Sequence, residues 1–145
     1  MLYLKQGETT VIYSNLLDRV STTTGFSWLI NMTCDFTKES YTCLQTPGDS
    51  AIFIDTTNTL MVKYPIKVLT TGSAQGDLQE LLLKNPGYYT YDIYYQTGTT
   101  NLDITDSVVK YIVQKGKAYI YNNTPLESYT EAKDGSPNNF IYINN

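Results

Sequence analysis

Histidine is absent from this 145-residue chain, and arginine occurs once, at Arg19. Catalytic acid–base work at neutral pH draws most often on histidine, so Ser–His–Asp and Cys–His arrangements are excluded. Cysteine is scarce as well. Cys34 and Cys43 are too few for a secreted disulfide framework. Without histidine they cannot complete a tetrahedral zinc set unless two carboxylates join them. They read as half-buried free thiols or as one bond across a hairpin, and the residues leave both open. Charge is thin, at 17% of residues, and the balance is −4. An acidic chain with scattered lysines does not offer the basic patch that nucleic acid requires. No apolar run reaches the eighteen or so residues that would span a bilayer, and MLYLKQGETT has no basic stretch followed by a long apolar one. The expectation is therefore a protein that works without membrane or nucleic acid, made in the cytoplasm. The glycines fit neither G-x-x-x-x-G-K-[ST] nor G-x-G-x-x-G, so no phosphate cradle is expected. Asp92, Asp103, Asp106 and Glu127 lack the spacing of a paired-carboxylate site and read as solvated charges. We expect no catalytic residue, no metal and no cofactor.

What the chain has is tyrosine, fourteen residues of it. Many stand at alternate positions, as in Tyr89-x-Tyr91-x-Ile93 and Tyr119-x-Tyr121. Period two puts one set of side chains on one face of a strand. Amphipathic rings suit a pleated sheet with one side packed and the other wet. The pattern predicts short strands at Leu2–Lys5, Thr9–Tyr13, Phe26–Cys34, Ser40–Gln45, Ala51–Ile54, Thr59–Leu69, Tyr88–Thr97, Val108–Val113, Lys117–Tyr121 and Phe140–Ile143. Phe26–Cys34 and Ser40–Gln45 form the clearest hairpin. Pro65 places its strand at an edge or breaks it in two. Lys115-Gly116 reads as a tight turn. One helix is expected near residues 76–84, where Asp77 and Glu80 have capping-box spacing and Leu78, Leu81 and Leu82 share a helical face. Asn85-Pro86-Gly87 ends it. Residues 1–145 are expected to form a single all-β domain, an antiparallel sandwich.

The run Asn85-Pro86-Gly87-Tyr88-Tyr89-Thr90-Tyr91 resembles the corner of immunoglobulin-like sandwiches, where a glycine and then a tyrosine two residues later lead into a central strand. Gly87 and Tyr89 match. The resemblance implies that the Tyr89 hydroxyl bonds back to the turn, and Tyr91 stands where an antibody domain carries its second cysteine. The order of motifs along the chain is also similar to that of small structural proteins of tailed bacteriophages, including relatives of the crAss-like phages. It is carried by Leu4-Lys5-Gln6-Gly7-Glu8-Thr9-Thr10, the Gly-x-Tyr strand with Tyr94-Tyr95-Gln96-Thr97, Thr99-Thr100-Asn101-Leu102, Gly116-Lys117-Ala118-Tyr119-Ile120 and Phe140-Ile141-Tyr142.

That resemblance implies a non-enzymatic, immunoglobulin-like virion component, assembled in the bacterial host cytoplasm. Its expected post is the head, as an auxiliary or decoration subunit bound to the major capsid protein. A neck-ring, head–tail connector or baseplate adaptor bound to neck or tail subunits is the alternative, and a homo-oligomer fits either. Interface candidates are Tyr88, Tyr94, Tyr95, Phe140 and Tyr142. A glycan-binding host-attachment module is a reading of a different class. It needs exposed, coplanar rings from the Tyr88–Tyr95 strand.

Overall fold

The computed structural model describes residues 1–16, 25–47, 53–55, 61–76 and 79–122. Among them are nine strands in two layers. In chain order these are β1 (Leu2–Lys5), β2 (Thr9–Ser14), β3 (Phe26–Cys34), β4 (Ser40–Gln45), β5 (Phe53–Asp55), β6 (Met61–Leu69), β7 (Glu80–Leu82), β8 (Gly87–Thr97) and β9 (Val109–Tyr121). One sheet runs β1-β9-β8-β3-β4 and the other β2-β6-β5, with β7 beside β6. This is the strand order of an immunoglobulin-like sandwich, in which β3, β8 and β9 are the central C, F and G strands and β2, β6 and β5 are B, E and D. The expected Phe140–Ile143 strand lies outside the described residues.

The core follows from the alternation. Phe26, Trp28, Ile30, Met32 and Cys34 point inward from β3, and Tyr89, Tyr91, Ile93 and Tyr95 from β8. Ile12, Val62, Tyr64, Ile66 and Val68 meet them from the other sheet. Trp28 is fully buried on β3. Its ring packs edge-on against Phe26, with centroids 5.1 Å apart.

Four local expectations are corrected. The first is the helix near residues 76–84. Glu80–Leu82 is instead a strand, paired in parallel with Lys67–Leu69 of β6. Leu81 and Leu83 are buried while Leu82 is half-buried, which is period two. Gln79 has φ of 60°, a left-handed conformation that a right-handed helix does not accept. A helix of two turns gains little by itself, whereas β6 offers a ladder. The Glu80 carboxylate does accept a backbone N–H, but from Gln75 at 3.0 Å, and it also takes the Lys67 ammonium at 2.8 Å. Asp77 and Leu78 lie outside the described residues.

The second correction concerns Lys115-Gly116, which makes no turn. β9 runs unbroken for thirteen residues, and Gly116 lies opposite Tyr91. The third is that the sandwich is not wholly antiparallel, because β1 also pairs in parallel, with β9. The fourth is Pro65, which neither places its strand at an edge nor breaks it in two, because β6 runs from Met61 to Leu69 between β2 and β5. On the flank away from β2, the described residues of β5 pair with Met61–Lys63 and those of β7 with Lys67–Leu69. The Pro65 carbonyl accepts the Gln45 side-chain amide from the other layer at 2.8 Å. A residue's N and O point to the same side of a strand, so the missing N–H lies on this flank, where among the described residues no ladder partner pairs with Pro65.

The corner takes the form that the resemblance implies. Gly87 has φ of 134°, a region costly for residues with a Cβ, and an added Cβ would meet nothing within 4 Å. The Tyr89 hydroxyl donates to the Asn85 carbonyl at 2.9 Å. Replacing Tyr89 by Phe keeps the ring and removes that bond, so we expect a loss of about 0.5–1.5 kcal/mol in denaturant unfolding. An unchanged midpoint would reduce Tyr89 to a packing residue.

Both thiols are free and buried. Cys43 pairs with Ile30, while Cys34 stands opposite Tyr89, so the two do not face each other across the hairpin. Burial pushes the Cys43 thiol up to about 12. The inter-layer link is polar instead. Ser14 of β2 donates to the side-chain carbonyl of Gln114 on β9, and the Gln114 amide donates to the Tyr91 hydroxyl of β8 at 2.9 Å.

Candidate docking face

The outer face of the five-stranded sheet carries the candidate site. Residues in register across a sheet form rows, and the rows here differ sharply in chemistry. The first is aromatic. Tyr3 of β1 pairs with Tyr119 of β9, and Tyr119 with Tyr88 of β8. Tyr3 is 61% exposed and Tyr88 58%. The Tyr88 and Tyr119 rings touch with centroids 5.0 Å apart and planes tilted by 52°. Next to Tyr88, the turn between β3 and β4 is held by the Asp35 N–H donating to the Tyr88 carbonyl at 3.0 Å. That turn lifts Phe36 almost entirely into solvent, at 93% exposure. An open depression of about 600 Å³ lies between Phe36, Pro86 and Tyr88.

The second row is polar and pinned. The Lys117 ammonium donates to Asp35 at 2.6 Å and to the Thr90 hydroxyl at 2.8 Å, and Thr90 donates to Asp35 at 2.8 Å. The Lys117 and Thr90 hydrogen bonds hold the Asp35 carboxyl below the usual range for an aspartate. Thr33 and Ser40 continue the row at 2.8 Å from each other. The network fixes the turn that carries Phe36, so the exposed ring stands on a rigid base. Beneath it, burial would raise the Cys34 thiol, but hydrogen bonds from Thr37 and the Phe36 backbone outweigh burial and lower it.

Further along, the face is closed. Leu29 and Leu44 point away from the sandwich core yet are fully buried. The segment after β8 is tied across this region. Ser27 donates to the Gly98 carbonyl at 2.7 Å, the Gln96 amide to the Asn101 carbonyl at 3.0 Å, and Thr42 to the Leu102 carbonyl at 3.1 Å. Gly76 comes so close that an added Cβ would lie 2.9 Å from both Leu102 and the Thr42 carbonyl. Asp103 and Asp106 serve this loop by accepting the Thr105 and Val108 N–H groups at 2.8 and 2.9 Å. One end of the sheet face is thus covered by the chain itself, and the other presents bare rings.

Of the interface candidates, Tyr88 is exposed and lies in the aromatic row. Tyr94 is on the same face but half-buried. Tyr95 is corrected: it points inward, 3% exposed, and its ring packs on Phe26 and Tyr111. Tyr95 follows Tyr94 directly, so the two must occupy opposite faces. Phe140 and Tyr142 lie outside the described residues. Sequence reasoning missed Tyr3, Tyr119 and Phe36 as site residues. The signal for Phe36 was present, because a lone aromatic in the polar turn Asp35–Glu39 has no core to enter.

No family model, characterised relative or solved structure matches this chain. The functional reading therefore rests on the residues and their geometry.

Proposed function

We propose that this protein is a non-enzymatic structural component of a bacteriophage virion, an auxiliary head subunit that docks on neighbouring virion proteins through the outer face of its five-stranded sheet. The observation that carries the reading is the contiguous aromatic row Tyr3–Tyr119–Tyr88, with Tyr3 and Tyr88 exposed, Tyr119 half-buried between them and the exposed Phe36 beside it. Large rings with few rotamers lose little entropy on contact and are typical anchors of protein interfaces. The pinned Asp35–Lys117–Thr90 network lowers that cost further, because the turn is ordered before any partner arrives. A glycan platform is less well supported. Its rings should be coplanar, whereas Tyr88 and Tyr119 are tilted, and Tyr89, Tyr91 and Tyr95 are buried.

The test is incorporation into particles of the phage that encodes the chain. Replacing both Phe36 and Tyr88 by Ala removes two anchors from solvent and should leave the melting temperature within a few degrees of the parent. We expect incorporation to fall at least about thirtyfold, the scale of one interface hot spot. Normal incorporation of the double variant would remove this face from the interface. Copy number per particle then places the subunit: tens to hundreds for a head position, about six or twelve for a ring at the neck or tail.

A further inference from the structure

We propose that the neighbour docked on the aromatic face is a second copy of this chain, held in a twofold dimer in which Phe36 of each copy seats in the depression beside Tyr88 of the other. The inference rests on the reading that this face is a docking surface, and it names the partner. A twofold interface must be self-complementary, so one patch has to supply both a projection and the hollow that receives it. This face has the two side by side. Phe36 is the projection, 93% exposed on the turn that the Asp35–Lys117–Thr90 network pins. The hollow is the depression of about 600 Å³ between Phe36, Pro86 and Tyr88. Its volume is in the range of small-molecule sites, so it has room for one ring. Gly87 lines it without a side chain, and Phe36 stands at its rim without filling it. A twofold axis between ring and hollow makes both seats at once.

Area and charge select the same occupant. At roughly 200 Å² for a whole ring, Tyr3, Tyr88 and Phe36 together expose on the order of 400 Å². Each side of a standard interface buries about 800 Å², of which roughly half is apolar. The rings supply that half. The polar row of Lys117, Asp35 and Thr90 beside them supplies the rim, and Tyr121, 39% exposed on the same side of β9, extends the patch. The chain as a whole carries −4, yet the charges around the hollow cancel. Asp35 and Glu39 stand against Lys38 and Lys117, and Lys117 is already paired with Asp35 at 2.6 Å. A face without net charge gives a strongly acidic or basic partner nothing to recognise. It also lets two copies meet without repulsion between like charges.

Sedimentation equilibrium of the isolated full chain, from about 1 to about 300 µM, tests the assignment. We expect a dimer with a dissociation constant in the micromolar range. Each copy contributes one seated ring, so Phe36→Ala removes two contacts at once. The dissociation constant should rise about thirtyfold per ring, which is about a thousandfold for the variant dimer. A mixed dimer of parent and variant keeps one seat and should be only about thirtyfold weaker than the parent. Phe36→Glu should be monomeric throughout, because it brings a carboxylate to an apolar hollow. Position 36 lies in solvent in the single chain, so parent and variants should melt together at dilutions where the parent is monomeric. A parent that stays monomeric at about 300 µM would overturn the second-copy assignment, while incorporation into particles would still decide the docking reading. A dimer that Phe36→Ala leaves intact would place the contact elsewhere and overturn the seat. Normal incorporation of the Phe36 and Tyr88 double variant would overturn the docking reading and this assignment together.

Discussion

Gly116→Ala should destabilise the fold by about 2 kcal/mol, although it replaces glycine inside a strand with a residue that ordinarily suits one better. The reduced backbone entropy of alanine favours the variant by about 0.5–1 kcal/mol. Overpacking opposes it and wins. A Cβ built on Gly116 would lie 2.6 Å from the Tyr91 hydroxyl and 2.7–2.8 Å from carbons of its ring. Tyr91 is 5% exposed and sits between the layers, so the ring has nowhere to swing. Forcing a methyl against a fixed ring costs about 3 kcal/mol. Urea denaturation checks the sum, and a double-mutant cycle checks the cause. With Tyr91→Ala already present, the cost of Gly116→Ala should largely vanish. A full penalty in that background would mean that something other than the ring resists the methyl group.

Gln114→Leu should cost about 2–3 kcal/mol, or roughly 5–10 °C in melting temperature. The substitution preserves apolar bulk but strips the buried Tyr91 hydroxyl of its donor and takes one partner from Ser14. A buried polar group left unmatched costs more than the bond itself is worth. The same asymmetry supplies the control. Adding Tyr91→Phe removes the stranded hydroxyl, so the double variant should be more stable than Gln114→Leu alone by about 1 kcal/mol. If the double variant is the weaker of the two, the bond between the layers is not what Gln114 contributes.

Both effects lie at places where the sequence could be read only in part. Alternation located β3 and β8, because every second residue of Phe26–Cys34 and of Tyr89–Tyr95 is apolar or aromatic. The Gly87–Tyr89 corner was legible from two residues, since its geometry is local. Gly116 misled because a Lys-Gly pair usually signals a turn, and only the cross-strand neighbour explains it: glycine is there to admit the Tyr91 ring. Leu81 and Leu82 misled because a strand of three residues has too little length to display its period. The docking face was half legible. Tyr88 stood out, but the link from Tyr3 to Tyr119 joins opposite ends of the chain through a parallel pairing that no local pattern encodes.

The polar link between the layers has a consequence for where the protein can form. A sandwich closed by a cystine waits on an oxidant and opens again in a thiol-rich compartment. Here the clasp consists of a hydroxyl, an amide and a phenol, while Cys34 and Cys43 are buried as separate thiols. Such a closure is complete as soon as the chain has folded, and glutathione has nothing in it to reduce.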